Sequence, residues 1–195
     1  MFTTLHDWRV IGKTLEYQQE GSNIDIFTQK GGEGNVVGSP PFSLNDEVTF
    51  YAKVTYSSFP EQNKFVAFQI INPYGGTYVL YGETNGSGVA SETFRLPSTG
   101  TTENFGFWQI LATVDVAETV VNDTLEFHVR FNLADVNGDL EVDIFDVVIA
   151  SLAYGSSPSD LNWNLHCDIT EPYDFVDILD LVLICGEYGE QWSSN

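Results

Sequence analysis

The stretch Asp135-Val-Asn-Gly-Asp-Leu-Glu-Val-Asp-Ile-Phe-Asp146 constrains this chain more than any other. Oxygen-bearing side chains fall at positions 1, 3, 5, 9 and 12 of a twelve-residue loop. That spacing lets a loop wrap a hard cation. Asp135, Asn137, Asp139, Asp143 and Asp146 supply side-chain oxygens, and Glu141 supplies its backbone carbonyl. Calcium takes about six to eight oxygens and tolerates irregular geometry, so a loop of this kind satisfies it. Val142, at position 8, is expected to pair with its counterpart in a second loop. An acidic turn that binds nothing would not place five ligand-type residues in register.

The second loop exists. Residues Val142–Gly155 recur as Val176–Gly189, 34 positions later, with seven of the fourteen identical. Each copy reads as a loop followed by a helix and ends in Tyr-Gly, where glycine stops a helix. The second loop, Asp168–Asp180, is one residue longer than the first. Asp168, Thr170, Asp177 and Asp180 match positions 1, 3, 9 and 12, and position 5 is open among Glu171, Pro172 and Asp174. Two Ca2+ ions are expected, the second in altered coordination. In the first loop the sharp bend at position 6, usually glycine, falls on Leu140, at an expected cost of about 1 kcal/mol.

These residues resemble a dockerin, the duplicated half-EF-hand module of cellulosomes and of archaeal and bacterial surface proteins, over about 133–192. The resemblance implies two calcium ions, two antiparallel helices and a cohesin-like partner. Dockerins read cohesin with loop positions 10 and 11, here Ile144, Phe145, Ile178 and Leu179. All four are apolar, where many cellulosomal dockerins carry a polar pair. Both helices are apolar nearly all round, and a module of some sixty residues cannot bury them all, so part of that surface is expected to meet the sandwich, another chain or a partner.

Before residue 132 the pattern is that of a β protein. Val48, Phe50, Ala52 and Val54 alternate with Thr49, Lys53 and Thr55, which predicts one face in and one out. Further strands are expected near 24–28, 65–71, 77–81, 89–96, 108–116 and 124–131, separated by turns such as Asn72-Pro73 and Asn85-Gly86. In the last strand Leu125, Phe127, Val129 and Phe131 are expected on one side, and Thr124, Glu126, His128 and Arg130 on the other. The Gly-rich segment running through Pro40-Pro41 reads as a loop. About seven strands at such spacing predict an antiparallel sandwich. Gly88–Pro97 and Phe105–Val114 resemble immunoglobulin-like and macroglobulin-type domains of surface proteins, which implies a fold and not an activity.

The expected architecture is therefore two-domain. An arm or strand (1–21) precedes an all-β immunoglobulin-like sandwich (22–132), and a small all-α dockerin-like pair of half EF-hands (133–195) follows with no linker. A joint that short predicts a fairly fixed angle between the two.

Charge narrows the partners. The net charge is −21, and Leu133–Asn195 carries thirteen Asp or Glu and no Lys or Arg. Nucleic acid and anionic lipid call for basic patches and are not expected. Nor is any apolar run long enough to span a membrane. Two sequons, at Asn85 and Asn122, fit glycosylation of an extracellular chain. Cys167 and Cys185 flank the second loop and helix, where an EF-hand geometry would point both inward, as a disulfide or as two buried thiols. His6, His128 and His166 are scattered and suggest no zinc site, and no nucleophile–base motif appears. The expectation is a non-enzymatic extracellular or cell-surface assembly protein. Its partner is either other copies of itself, in a filament or array, or a cohesin-like protein. The alternative of another class is a carbohydrate-binding module or accessory fragment of a glycoside hydrolase, with Tyr74, Tyr78, Tyr81 or Trp108 as stacking platforms.

Overall fold

The computed structural model describes residues 9–11, 14–16, 21–34, 38–98 and 104–192. Strands β1 (Arg9–Ile11) and β2 (Thr14–Glu16) form a small hairpin. Of the segment expected as an arm or strand, the described residues thus form two short strands.

The sandwich follows. Its larger sheet contains β4 (Gly38–Ser43), β7 (Phe65–Ile71), β8 (Thr77–Glu83), β10 (Gly106–Val116) and β11 (Thr119–Arg130), in the order β4-β11-β10-β7-β8. Across from it, β5 (Glu47–Tyr56) pairs with β3 (Ser22–Thr28), with β9 (Val89–Arg95) and with the short β6 (Phe59–Pro60). The alternation read from sequence builds the core. Val48, Phe50, Ala52 and Val54 are fully buried, as are Trp108, Ile110 and Ala112. They meet Phe68 and Ile70 of β7 and Phe127 of β11 in one apolar cluster. Trp108 is therefore core, stacked on Phe127 with its indole N–H donated to the Asn104 carbonyl, and not a sugar platform.

Two expectations change. The Pro40-Pro41 segment is not a loop but part of β4, the one strand that runs parallel to β11. Proline has no N–H to give a ladder, so it is tolerated only at a sheet edge or a bulge. Here it has both: β4 is the edge, and the register jumps between Phe127 and Val129 as Pro40 and Pro41 pass. The two-sided pattern expected of the last strand breaks at its end, where Arg130 is buried and Phe131, on the side of the buried Leu125, Phe127 and Val129, is half exposed. The reason is the next segment of chain, which folds back over the end of β11.

That segment holds α1 (Ile144–Ala153) and α2 (Ile178–Gly186) around a second, separate cluster built on Val142, Ala150, Cys167, Val176 and Ile184. Each helix begins at an aspartate, Asp143 or Asp177, with a complete capping box closed by Asp146 or Asp180. No described helix is long and apolar enough to cross a membrane.

Candidate metal loops at the joint

In the first loop the carboxylates fold the backbone around themselves. Asp135 accepts the N–H groups of Gly138, Asp139 and Leu140 at 2.7, 3.1 and 3.0 Å. Asp146, fully buried, accepts those of Val136, Asn137 and Asp143 at 2.7, 3.0 and 2.9 Å. Asn137 and Asp139 are tied to each other, and Asp139 also accepts from Glu141 N–H. Gly138 and Leu140 make the bend with φ of 79° and 71°. Leu140 therefore adopts the left-handed conformation that its position 6 demands, held there by its N–H bond to Asp135.

The second loop repeats this plan with one difference. Asp180 accepts from Ile169 and Thr170 N–H at 2.9 and 2.8 Å, from the Thr170 hydroxyl at 2.9 Å, and from Asp177 N–H at 2.8 Å. Asp168 accepts from Asp174 N–H at 2.7 Å through Oδ2, while its Oδ1 is buried with no partner. Burial, followed by the charges of Asp180 and Asp174, pushes the Asp168 carboxyl up to about 7. Asp174 has φ of 72° and bonds Asp168 as Leu140 bonds Asp135, so it stands at the bend and not at position 5. Its carboxylate lies against Gly31 of the sandwich.

The donors are all hard oxygens, and the second loop holds an orphaned buried carboxylate oxygen, so the residues suit a cation such as Ca2+. Among the described residues no three Asp, Glu, His or Cys side chains are already gathered into a cage. The carboxylates instead spend their oxygens on backbone N–H groups. A bound ion would supply charge neutralisation and hold the two loops. Asp135, Asn137, Asp139, Asp143, Asp146 and the Glu141 carbonyl would hold the first ion, and Asp168, Thr170, Asp177 and Asp180 the second.

Val142 does not pair with Val176. Val142 exchanges backbone hydrogen bonds with Gly189 and Glu190 beyond α2, and Val176 does so with Gly155 and Ser156 beyond α1. Each loop is thus latched to the end of the other repeat's helix, and both valines are buried between them. The cysteines are also corrected. Cys167 is buried and Cys185 exposed, and both are free, because α2 turns Cys185 away from the cluster that holds Cys167. Burial pushes the Cys167 thiol up to about 12, which is the opposite of an activated nucleophile.

The four positions expected to meet a partner are all at the surface. Ile144, Phe145, Ile178 and Leu179 are 49–63% exposed, and Val148, Leu152 and Val182 extend the same apolar surface along the helices. Asn85 and Asn122 are exposed, as a sequon requires. Tyr74, Tyr78 and Tyr81 are all exposed, and Tyr78 also packs on Phe94 at 5.0 Å.

Sequence reading missed the joint. Arg130 donates to His128 Nδ1 at 3.0 Å and to the carbonyls of Leu133 and His166 at 3.4 and 3.3 Å. Phe107 stacks on His128 at 4.7 Å, and His166 meets both rings edge-on. Phe131 bridges Phe105 and Trp192. Lys30 of the sandwich lies over Tyr173 of the second loop. The signal was present only as a base at an unexpected strand end and as two histidines 38 residues apart.

No family model and no curated protein matches the chain. Among solved structures it is similar to a tetra-tandem repeat from the extending region of a large adhesion protein, at 11% identity and a TM-score of 0.43 over 57% of this chain and 25% of that one. It is also similar to a DUF4785 family protein from Legionella pneumophila, at 12% identity and 0.40 over 55% and 28%. The D00-D0 domain of intimin is similar at 19% identity and 0.31 over 56% and 48%. The chain thus spans about a quarter of the length of the first two. Likenesses of this extent say nothing about a ligand or a partner.

Proposed function

We propose that this protein is a non-enzymatic extracellular assembly protein. An immunoglobulin-like sandwich carries a dockerin-like module with two calcium loops, and the apolar faces of α1 and α2 associate with other copies of the chain in a surface filament or array. The observation that supports this best is the duplicated exposed surface of Ile144, Phe145 and Val148 on one helix and Ile178, Leu179 and Val182 on the other. A soluble monomer rarely leaves so many apolar side chains together in water. The net charge of −21 opposes bringing copies together. Calcium in the two loops removes part of that repulsion and fixes the helices, which couples assembly to the ion.

Light scattering on the whole protein tests this. In calcium the particle mass is expected to exceed that of one chain, and EDTA is expected to return it to a monomer. Phe145→Asp with Leu179→Asp is expected to do the same in calcium without lowering helicity. The same face supports a second reading, docking of a cohesin-like partner. A compact monomer in calcium whose size ignores EDTA would remove self-assembly and leave that second reading. Unchanged helicity and melting temperature on chelation would remove calcium itself.

A further inference from the structure

Among the described residues only two bases are buried, Lys30 and Arg130, and both act on loop carboxylates. The field of Arg130 reaches Asp135 and Asp146 of the first loop. Lys30 belongs to the turn between β3 and β4, far in sequence from the loop it meets. Its Nζ donates to the Pro41 carbonyl at 2.6 Å and lies 4.2 Å from the centre of the Phe42 ring and 5.4 Å from that of Tyr173. Next to it, a Cβ on Gly31 would lie 2.8 Å from Asp174 Oδ1, so this turn and the second loop are in van der Waals contact.

A buried ammonium with one carbonyl acceptor needs anionic charge close by to remain ionised. Burial pushes the Lys30 ammonium down, and the charges of Asp46, Asp168 and Glu171 oppose that without fully offsetting it. The second loop has the converse need, since Asp168 is buried with one oxygen unpartnered.

We propose that Lys30 is the resident counter-charge of the second loop. Carried by the sandwich, it partly neutralises Asp168 when no metal is bound and so holds the loop to the sandwich. When a divalent cation enters, the two positive charges oppose each other, and the loop binds the ion less tightly than its oxygens alone would allow. This rests on the calcium reading above.

The test uses the whole chain, with calcium titrated calorimetrically and melting followed in EDTA. The binding step lost in Asp168→Asn identifies the second loop. Lys30→Met is expected to melt earlier in EDTA yet bind calcium at that loop roughly 3- to 30-fold more tightly at low salt, the range a nearby unit charge gives at intermediate effective dielectric. Added salt should shrink the gain. Lys30→Arg, which keeps the charge, should stay near wild type in both measurements. Should the Met variant unfold without metal, competition with a chelator from the calcium-loaded protein gives the same affinity, because only the loaded state must be folded. Equal or weaker calcium binding by Lys30→Met, in a wild type that takes up two ions, overturns the proposal alone. A wild type that takes up no calcium overturns the calcium reading and this proposal together.

Discussion

Asp135 and Asp168 occupy the same place in the two loops, yet one is fully bonded and the other is not. The extra residue in the second loop moves the bend to Asp174, and only one N–H then reaches Asp168. Because its folded value of about 7 lies above the ordinary 3.8, the folded metal-free protein binds more protons than the unfolded chain between those pH values. This residue's contribution to stability therefore rises as pH falls from about 7 toward 4. Asp168→Asn is expected to stabilise the metal-free protein by about 1–2 kcal/mol at pH 8, with the gain vanishing near pH 4. Urea unfolding in EDTA at the two pH values checks this. An equal effect at both would show that the charge of Asp168 is not what the burial opposes. The sequence identified Asp168 as a ligand position. The unpartnered oxygen depends on where a thirteen-residue loop bends, which spacing alone leaves open.

The helices were legible as elements. Their apolar runs and their aspartates at the start act locally, and the structure places α1 and α2 there, with α1 ending at the expected Tyr154 and α2 stopping at Gly186, before Tyr188-Gly189. Asp143 and Asp177 each cap a helix by accepting the N–H two residues on, at 2.7 Å. Asp143→Ala is expected to cost about 1 kcal/mol in EDTA, the value of a lost cap. In calcium the loss is expected to be larger, since the same carboxylate is a proposed ligand. Chemical denaturation in the two conditions separates the roles: an equal loss in both would mean that Asp143 only caps. Strand β4 was not legible. Pro40-Pro41 argues against a strand locally, and only the bulge they form in β4, at the sheet edge, lets the prolines pass. The pairing of Val142 with the end of α2 was missed for a similar reason. Two similar loops suggest that like meets like, whereas each valine is latched to the far end of the opposite helix.

At the scale of the whole molecule the joint is a half-buried cluster of rings around one buried arginine. Burial, with the charge of Arg130, pushes His128 and His166 down to about 4. The folded joint then binds fewer protons than the unfolded chain between about 4 and the ordinary 6.5, so its contribution falls as pH drops through that window. Asp168 works in the opposite direction over nearly the same range, so the slope of the wild type alone does not isolate the joint. His128→Gln is expected to flatten the loss between pH 6.5 and 4 relative to wild type, measured by thermal melting in EDTA. A steeper loss in the variant would remove the joint as its source. Arg130→Met is expected to cost about 2–4 kcal/mol by urea unfolding, since it removes three hydrogen bonds and leaves two carbonyls unpaired in the joint.

The sequence by itself determined what is local or periodic. It placed the strands that alternate, the core faces of β5 and β10, the two acidic loops and the helices they cap, because alternation, capping and loop spacing act over a few residues. It also predicted that the helices would keep apolar side chains at the surface, since a module that small has too little interior to take them. Only the tertiary structure decided what happens where the two halves touch. Burial of Arg130, exposure of Phe131 and Lys30 against the second loop all come from residues distant in sequence. Each depends on the angle at which the chain after β11 folds back, and no local pattern encodes that angle.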